Sequence, residues 1–299
     1  MTNPPSLNQT ALIFEGGGMR ASYTSAVVAA LINAEIDFPW VGGISAGSSC
    51  TANYLGRSPE RARQSFVDLA ADPEFGSWRT WLQGKGRFHA EYIYEKTGLP
   101  GAALPYDWDA FNAHPAQFAI GALQARTGRM QYWGRDEVRE LGDLMVRVRA
   151  SSTLPVLMPP VSIDGEVYFD GALGPTGGFA LDAARAAGYE RFVVIMTRPR
   201  NYVKPAAKLV SSAATRALFR RYPAVVDSIL KRPRRYNHSR AELFELERQG
   251  KAFLFCPEGL TVSNSETDLR KLQRMYALGE AHIARELPAL REFVGLPAN

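Results

Sequence analysis

Three short groups of residues in this chain could carry chemistry. Gly43-Ile44-Ser45-Ala46-Gly47 fits the G-x-S-x-G turn that exposes a nucleophilic serine. An apolar run enters it (Trp40, Val41, Ile44), and a helix-compatible run, Ala46 to Leu55, leaves it. That strand–turn–helix setting lifts Ser45 out at the end of a sheet, while Gly43 and Gly47 relieve crowding around the turn. The helix that follows points its N-terminal N–H groups toward negative charge developing as Ser45 attacks a carbonyl. Upstream, Gly16-Gly17-Gly18 follows a first apolar strand and opens a helix, so its amides form a nest for an anion.

Two anions suit that nest. Gly16-x-Gly18-x-x-Ala21 fits the dinucleotide fingerprint, with Glu35 or Asp37 as the acid for a ribose. A nucleotide-binding α/β module is therefore one reading. The other anion is the oxyanion of an acyl-transfer intermediate. The elbow that closes the very next strand favours this second reading, because adjacent parallel strands deliver both loops to one sheet edge.

A serine nucleophile needs a base. The chain has four histidines: His89, His114, His238 and His282. The order Ser…Asp…His would require His238 or His282, and both fall in helical patterns with no strand-end loop to present them. A carboxylate is the better candidate. Asp170 ends the alternating run Val167-Tyr168-Phe169 and precedes Gly171, Gly174 and Gly177, which permit close approach. The same Asp170-Gly171 pair also reads as an ordinary turn.

The elements needed to position these groups are legible. Thr10 to Phe14 and Trp40 to Ile44 read as strands, and Arg20 to Ile36 and Ala46 to Leu55 as helices. Ser58 caps a helix that Pro59 opens and that runs to about Ala71. Such alternation signals a parallel α/β sheet. Asp72 to Pro115 is an irregular, aromatic-rich insertion that could cap a site. Further on, Ala116 to Ala125 pairs with Arg129 to Trp133, Asp136 to Arg149 is helical, and Asp164-Gly165 turns a hairpin within Val161 to Phe169. Leu181 to Ala187 is a helix, and Arg191 to Thr197 and Ala252 to Cys256 are buried strands. Lys204 to Gln249 reads as helix interrupted at Pro223 and Pro233, and Glu266 to Phe293 as closing helices.

Composition narrows the class. With 299 residues, 46% hydrophobic and 22% charged, the chain is an ordinary globular protein with one large α/β domain as the expected organisation, 1–299. No apolar run approaches the roughly 20 residues that span a bilayer. The polar start, Met1 to Thr10, has no leader pattern, so a cytoplasmic location is expected. Cys50 and Cys256 form no disulfide or metal pattern and read as buried filler. Charge is uneven: Arg198 to Arg240 holds twelve Lys/Arg against one acid, Asp227, a local +11 in a chain of +5. That block suits an anionic membrane surface or substrate, or is simply a solvated face; nucleic acid is not the expected partner.

Taken in order, Gly16-Gly17-Gly18-Met19-Arg20, Gly43-Ile44-Ser45-Ala46-Gly47 and Asp170-Gly171-Ala172 resemble the three motifs of the patatin-like phospholipases. Ala150 to Val161, with its Ala-Ser…Pro run, resembles the segment before that family's aspartate strand. The resemblance covers Leu12 to Thr197. It implies a three-layer α/β/α fold around a central, mostly parallel sheet, with a core over roughly 10–200 and a basic helical extension over 201–299. It further implies a Ser45–Asp170 dyad that cleaves acyl esters of phospholipids through an acyl-enzyme, without metal or cofactor. Gly17 and Gly18, with Gly16, would form the oxyanion hole, each donor being worth about 3–4 kcal/mol in the transition state. Arg20 would stabilise the loop or meet an anionic headgroup, unless it is only a surface arginine. A broad carboxylesterase, a thioesterase, an acyltransferase or a retired scaffold would carry the same motifs.

Overall fold

The computed structural model describes residues 6–206 and 213–297, excluding the side chains of 78, 79 and 213–215. Lys208 of the basic block and the first five residues lie outside that range.

The strand sequences explain the layering. β1 (Thr10–Phe14) is buried along its whole length, so it needs cover on both faces. Side chains alternate across a strand. Leu12 and Phe14 enter one core with α1 (Ala21–Asn33) and α2 (Ala46–Leu55), whereas Ala11 and Ile13 enter the other. β2 (Trp40–Ile44) and the later strands divide in the same way. The result is a mixed α/β structure with helices around one central, mostly parallel sheet.

The chain continues through α3 (Pro59–Phe66), α4 (Trp78–Leu82) and α5 (Trp108–Ala113) to β3 (Gln117–Gln124) and β4 (Met130–Trp133). Next come α6 (Leu141–Ser152), the hairpin β5 (Val161–Ile163) and β6 (Glu166–Asp170), α7 (Leu181–Ala186) and β7 (Arg191–Ile195). α8 (Ala213–Leu218), α9 (Pro223–Arg248), β8 (Ala252–Phe255) and α10 (Leu269–Phe293) complete it. The sheet order is β5-β6-β3-β2-β1-β7-β8, and β4 pairs with β3 beside that path. β3, β2, β1, β7 and β8 run parallel; β4 and β6 pair antiparallel with β3, and β5 pairs antiparallel with β6. β8 carries the sheet past residue 200, so the C-terminal third contributes to the central layer as well as its flanks. Among the described residues no helix is long and apolar enough to cross a membrane.

Local chemistry sets the boundaries. Ser58 accepts from the Arg61 amide and Pro59 opens α3, but the helix stops at Phe66 and a 3₁₀ turn takes over at Asp68. The helix expected from Asp136 starts later, at Leu141, after a 3₁₀ turn over Arg135–Glu137. The hairpin turn places Asp164 and Gly165 at φ 52° and 80°, the left-handed pair of a two-residue connection. Pro223 starts α9 instead of interrupting a helix, since a first-turn proline has no amide bond to lose. Pro233 does not break α9 either; it costs one backbone bond within a helix held by packing on the sheet. Cys50 and Cys256 are both buried.

One side chain fixes the entry to β2. The Tyr54 hydroxyl on α2 donates to the Ile36 carbonyl at 2.5 Å and accepts from the Phe38 amide at 3.0 Å. All three residues are fully buried. Tyr54→Phe leaves both backbone groups unsatisfied and is expected to cost about 1–3 kcal/mol in denaturant unfolding. A change below about 0.5 kcal/mol, the scatter of neutral surface substitutions, would show that the pair does not hold this loop.

Candidate active site

Strand register builds the site. Phe14 of β1 lies opposite Gly43 of β2, so the turn after β1 and the turn after β2 leave the sheet side by side. Ile44 of β2 lies opposite Gly121 of β3, and Ala122 of β3 lies opposite Asp170 of β6. Asp170 is thereby level with the end of β2. Gly171 sits so close over Gly121 that a Cβ there would stand 2.2 Å from the Gly121 oxygen. Any side chain would push β6 away from the elbow.

At that point the Ser45 hydroxyl donates to Asp170 Oδ2 at 2.8 Å. The other carboxylate oxygen, Oδ1, accepts from the Ala172 amide at 2.8 Å. Ser45 is 7% exposed and Asp170 1%. Burial drives the Asp170 carboxyl above its ordinary range; the positive charge of Arg232, the Ala172 amide, the Ser45 hydroxyl and Lys204 oppose that rise. The result is a desolvated carboxylate in contact with a hydroxyl, geometry that can move a proton between them.

The elbow is strained and held from several sides. Ser45 has φ 58° and ψ −129°, a region that non-glycine residues rarely occupy. Its amide donates to Ser151 Oγ at 2.9 Å, and the Ser151 hydroxyl donates onward to the Gly121 carbonyl at 2.6 Å. Its carbonyl accepts from both the amide and the hydroxyl of Ser48. A Cβ on Gly43 would lie 2.0 Å from the Gly47 oxygen, and one on Gly47 would lie 2.1 Å from the Phe14 oxygen. Both elbow glycines are therefore demanded by close backbone packing.

The glycine loop departs from expectation at one residue. The Gly16 amide donates to the Gly178 carbonyl at 3.0 Å, so it is not free for an oxyanion. Gly16 instead lets the loop touch the elbow: a Cβ there would meet the Ile44 oxygen at 2.8 Å and Ser45 Cβ at 3.0 Å. The amides of Gly17 and Gly18 make no hydrogen bond among the described residues. Gly17 is packed on Thr197, and Gly18, at φ 56°, on the Asn264 carbonyl, which also accepts from the Met19 amide. Arg20 is not a surface arginine. It is 6% exposed, its Nε has no partner, and burial followed by the charge of Arg198 brings its guanidinium down to about 10, against the pull of Glu15.

No histidine takes part. His282 pairs with the Tyr23 hydroxyl inside the core, His114 and His89 face Asp37 and Glu74, and His238 is exposed on α9. Glu35 and Asp37 precede β2, so they lie at the opposite end of the sheet from the glycine loop, and Asp37 pairs with Arg57. A ribose-binding acid would need to be at the other end. No grouping of His, Cys, Asp and Glu that could hold a metal occurs among the described residues.

Two cavities meet at the Ser45–Asp170 bond. Ser45 lines an apolar one with Phe66, Leu69, Phe75, Phe88 and Met158. Phe75 and Phe88 come from the aromatic insertion, so that segment roofs the site. Asp170 lines the other with Lys204 and Arg232. Ser151, Asn264, Lys204 and Arg232 were not singled out by motif. Ser151 lies in the Ala-Ser…Pro run and the two cations in the basic block, but neither pattern says which member turns inward.

No curated protein matches the chain. A crystal structure of VipD from Legionella pneumophila aligns over 93% of this chain and 67% of its own, with 12% identity and a TM-score of 0.44. A family model described as a domain of unknown function (DUF6363) matches residues 222–295, spanning α9 to α10. A second, described as Patatin-like phospholipase, matches residues 12–179, more than half of the chain and the whole stretch from β1 through the loop after Asp170. The chain belongs to the patatin-like phospholipase family, whose substrates are lipid acyl esters.

Proposed function

We propose that this protein is a serine lipid acyl hydrolase working through Ser45 and Asp170. The observation that carries the reading is the direct 2.8 Å hydrogen bond between the two buried side chains. As the Ser45 oxygen attacks the ester carbonyl, its proton passes to Asp170. The resulting oxyanion faces the amides of Gly17 and Gly18. Collapse of the intermediate expels the alcohol, which takes its proton from Asp170 and leaves an acyl group on Ser45. Water then enters, gives its proton to Asp170 and releases the fatty acid; that proton returns to Ser45.

Three features support the assignment of roles. A carboxylate lifted above its ordinary range by burial is a stronger base than a solvated one, which compensates for the missing imidazole. The strained elbow holds the hydroxyl in one orientation, so little ordering is left for the reaction step. The apolar cavity at Ser45 suits an acyl chain. The whole chain, 1–299, acts in this reading, with peripheral contact between the basic block and an anionic surface.

A fluorophosphonate probe should form a stoichiometric adduct on Ser45, located by peptide mass mapping. Labelling should slow by about a hundredfold or more in Asp170→Asn, the range typical of losing a general base. Equal labelling of both proteins would remove Asp170 from the mechanism.

The raised carboxyl also fixes two pH dependences. Only ionised Asp170 can take the proton, so kcat/KM for a neutral ester should fall as pH drops through its elevated value. A profile flat down to about pH 4, the unperturbed carboxylate value, would contradict this. For stability the sign is opposite. Ionised Asp170 is disfavoured in the folded state, so the folding penalty grows from about pH 4 upward and is complete above the folded-state value. Asp170→Asn should therefore raise Tm at pH 7, and the gap should close below about pH 4. A lower Tm at pH 7 would show that the carboxylate stabilises the fold instead.

A further inference from the structure

The cavity at Asp170 has a mostly apolar lining into which two cations and one carboxylate, Asp170, are set. Lys204 and Arg232 line it, in a space of about 440 Å³. With a water occupying about 30 Å³, that holds a phosphate group and several waters. Arg20 and Arg198 lie within electrostatic range: both act on Lys204, and Arg198 and Arg232 act on Arg20. None of the four forms an ion pair within 4.0 Å among the described residues. The Nε atoms of Arg20, Arg198 and Arg232 are buried without a partner. Glu15 and Asp170 bring negative charge to this group. Glu15 is already engaged by the Tyr236 hydroxyl at 2.6 Å and the Thr197 amide at 2.5 Å, and Asp170 by Ser45 and Ala172.

The cluster is held in place. The Lys204 amide donates to Asn237 Oδ1 at 2.8 Å, and Asn237 Nδ2 donates back to the Lys204 carbonyl at 3.0 Å. Asn237 and Arg232 belong to the same helix, α9, so the two cavity cations share one support. Burial and the charges of Arg232, Arg20 and Arg198 bring the Lys204 ammonium down to about 7, only partly offset by Glu15. Buried like charges of this kind are costly, and a bound anion relieves that cost.

We propose that Lys204 and Arg232, with Arg20 and Arg198 behind them, form a phosphate subsite that selects acyl esters whose leaving alcohol carries a phosphate and a net negative charge over zwitterionic phosphocholine esters. The proposal deepens the Ser45–Asp170 reading and rests on it: an ester at the dyad would extend its acyl chain into the apolar cavity and its alcohol toward the cations. Among the described residues, no carboxylate other than Asp170 lines this cavity to receive a choline ammonium. The phosphate could belong to a lipid headgroup or arrive as a free ion.

Calorimetry on the full chain at pH 7.5 separates these cases and needs no turnover, so it stands even if Ser45 is not the nucleophile. The ligands are inorganic phosphate, glycerol 3-phosphate, glycerophosphocholine and an alkyl-ether glycerol 3-phosphate that has no ester to cleave. Glycerol 3-phosphate should bind at least about tenfold more tightly than glycerophosphocholine, the loss expected for one charge-assisted contact. Lys204→Gln and Arg232→Gln should each weaken it by about tenfold, while Lys204→Arg and Arg232→Lys should retain it. Wild-type binding should draw in protons, seen as a heat that varies with buffer ionisation, because the anion favours charged Lys204. A much tighter alkyl-ether ligand identifies the phosphate as a lipid headgroup; equal affinity for inorganic phosphate identifies a free-ion site, which overturns substrate selection. Equal binding of glycerophosphocholine, or no phosphate binding at all, also overturns the proposal. The wild-type comparison alone decides this if a Gln variant does not fold.

Discussion

The hydrogen bond between Ser45 and Asp170 is the constraint on which the rest of the site depends. It joins residues 125 positions apart, and nothing local could hold them at 2.8 Å. The distance is set by three strands in register: Ile44 beside Gly121, and Ala122 beside Asp170. Gly121 and Gly171 allow the strands to approach that closely, and Ser151 ties the Ser45 amide back to the Gly121 carbonyl. A shift of one residue in β6 would turn Asp170 to the other face and destroy the pair. Apolar packing on the two faces of the sheet resists that slip: in β6, Tyr168 packs into one core and Phe169 into another.

The electrostatics follow from the same geometry. Burying a carboxylate against a hydroxyl is unfavourable, and the site has no imidazole to share the proton. Arg232, Lys204 and the Ala172 amide limit how far the Asp170 carboxyl rises. These cations therefore act on Asp170 as well as facing the cavity beside it. Ser45 lines the apolar cavity and Asp170 the cationic one, so in the proposed reading an amphipathic ester would place its reacting carbon between them. Fold stability, base strength and substrate polarity are thus linked through a small set of buried charges.

Local signals in the sequence were enough to place β1, β2, α2 and the elbow, because an apolar strand, a glycine-flanked turn and a small-residue helix follow one another without interruption. Asp170 was also legible, since it closes the alternating strand after the Asp164-Gly165 turn. Long-range partners were not. The Gly16 amide could not be known to bond the Gly178 carbonyl, 162 residues away, so Gly16 looked equivalent to Gly17 and Gly18. Ser151 has no pattern that distinguishes it from Ser152. The basic block was visible as charge, but the burial of Arg20 and the inward placement of Lys204 and Arg232 depend on how α9 packs on the sheet. Pro233 sits inside α9 for the same reason: packing outweighs a single lost helical bond.

The most direct test of the central claim is a pre-steady-state measurement with a neutral p-nitrophenyl ester, quenched in acid and mapped by peptide mass. The account predicts a burst of p-nitrophenol equal to the enzyme present, an acyl group on the peptide containing Ser45, and neither in Ser45→Ala. Full turnover by Ser45→Ala, or an acyl group on another residue, would contradict it.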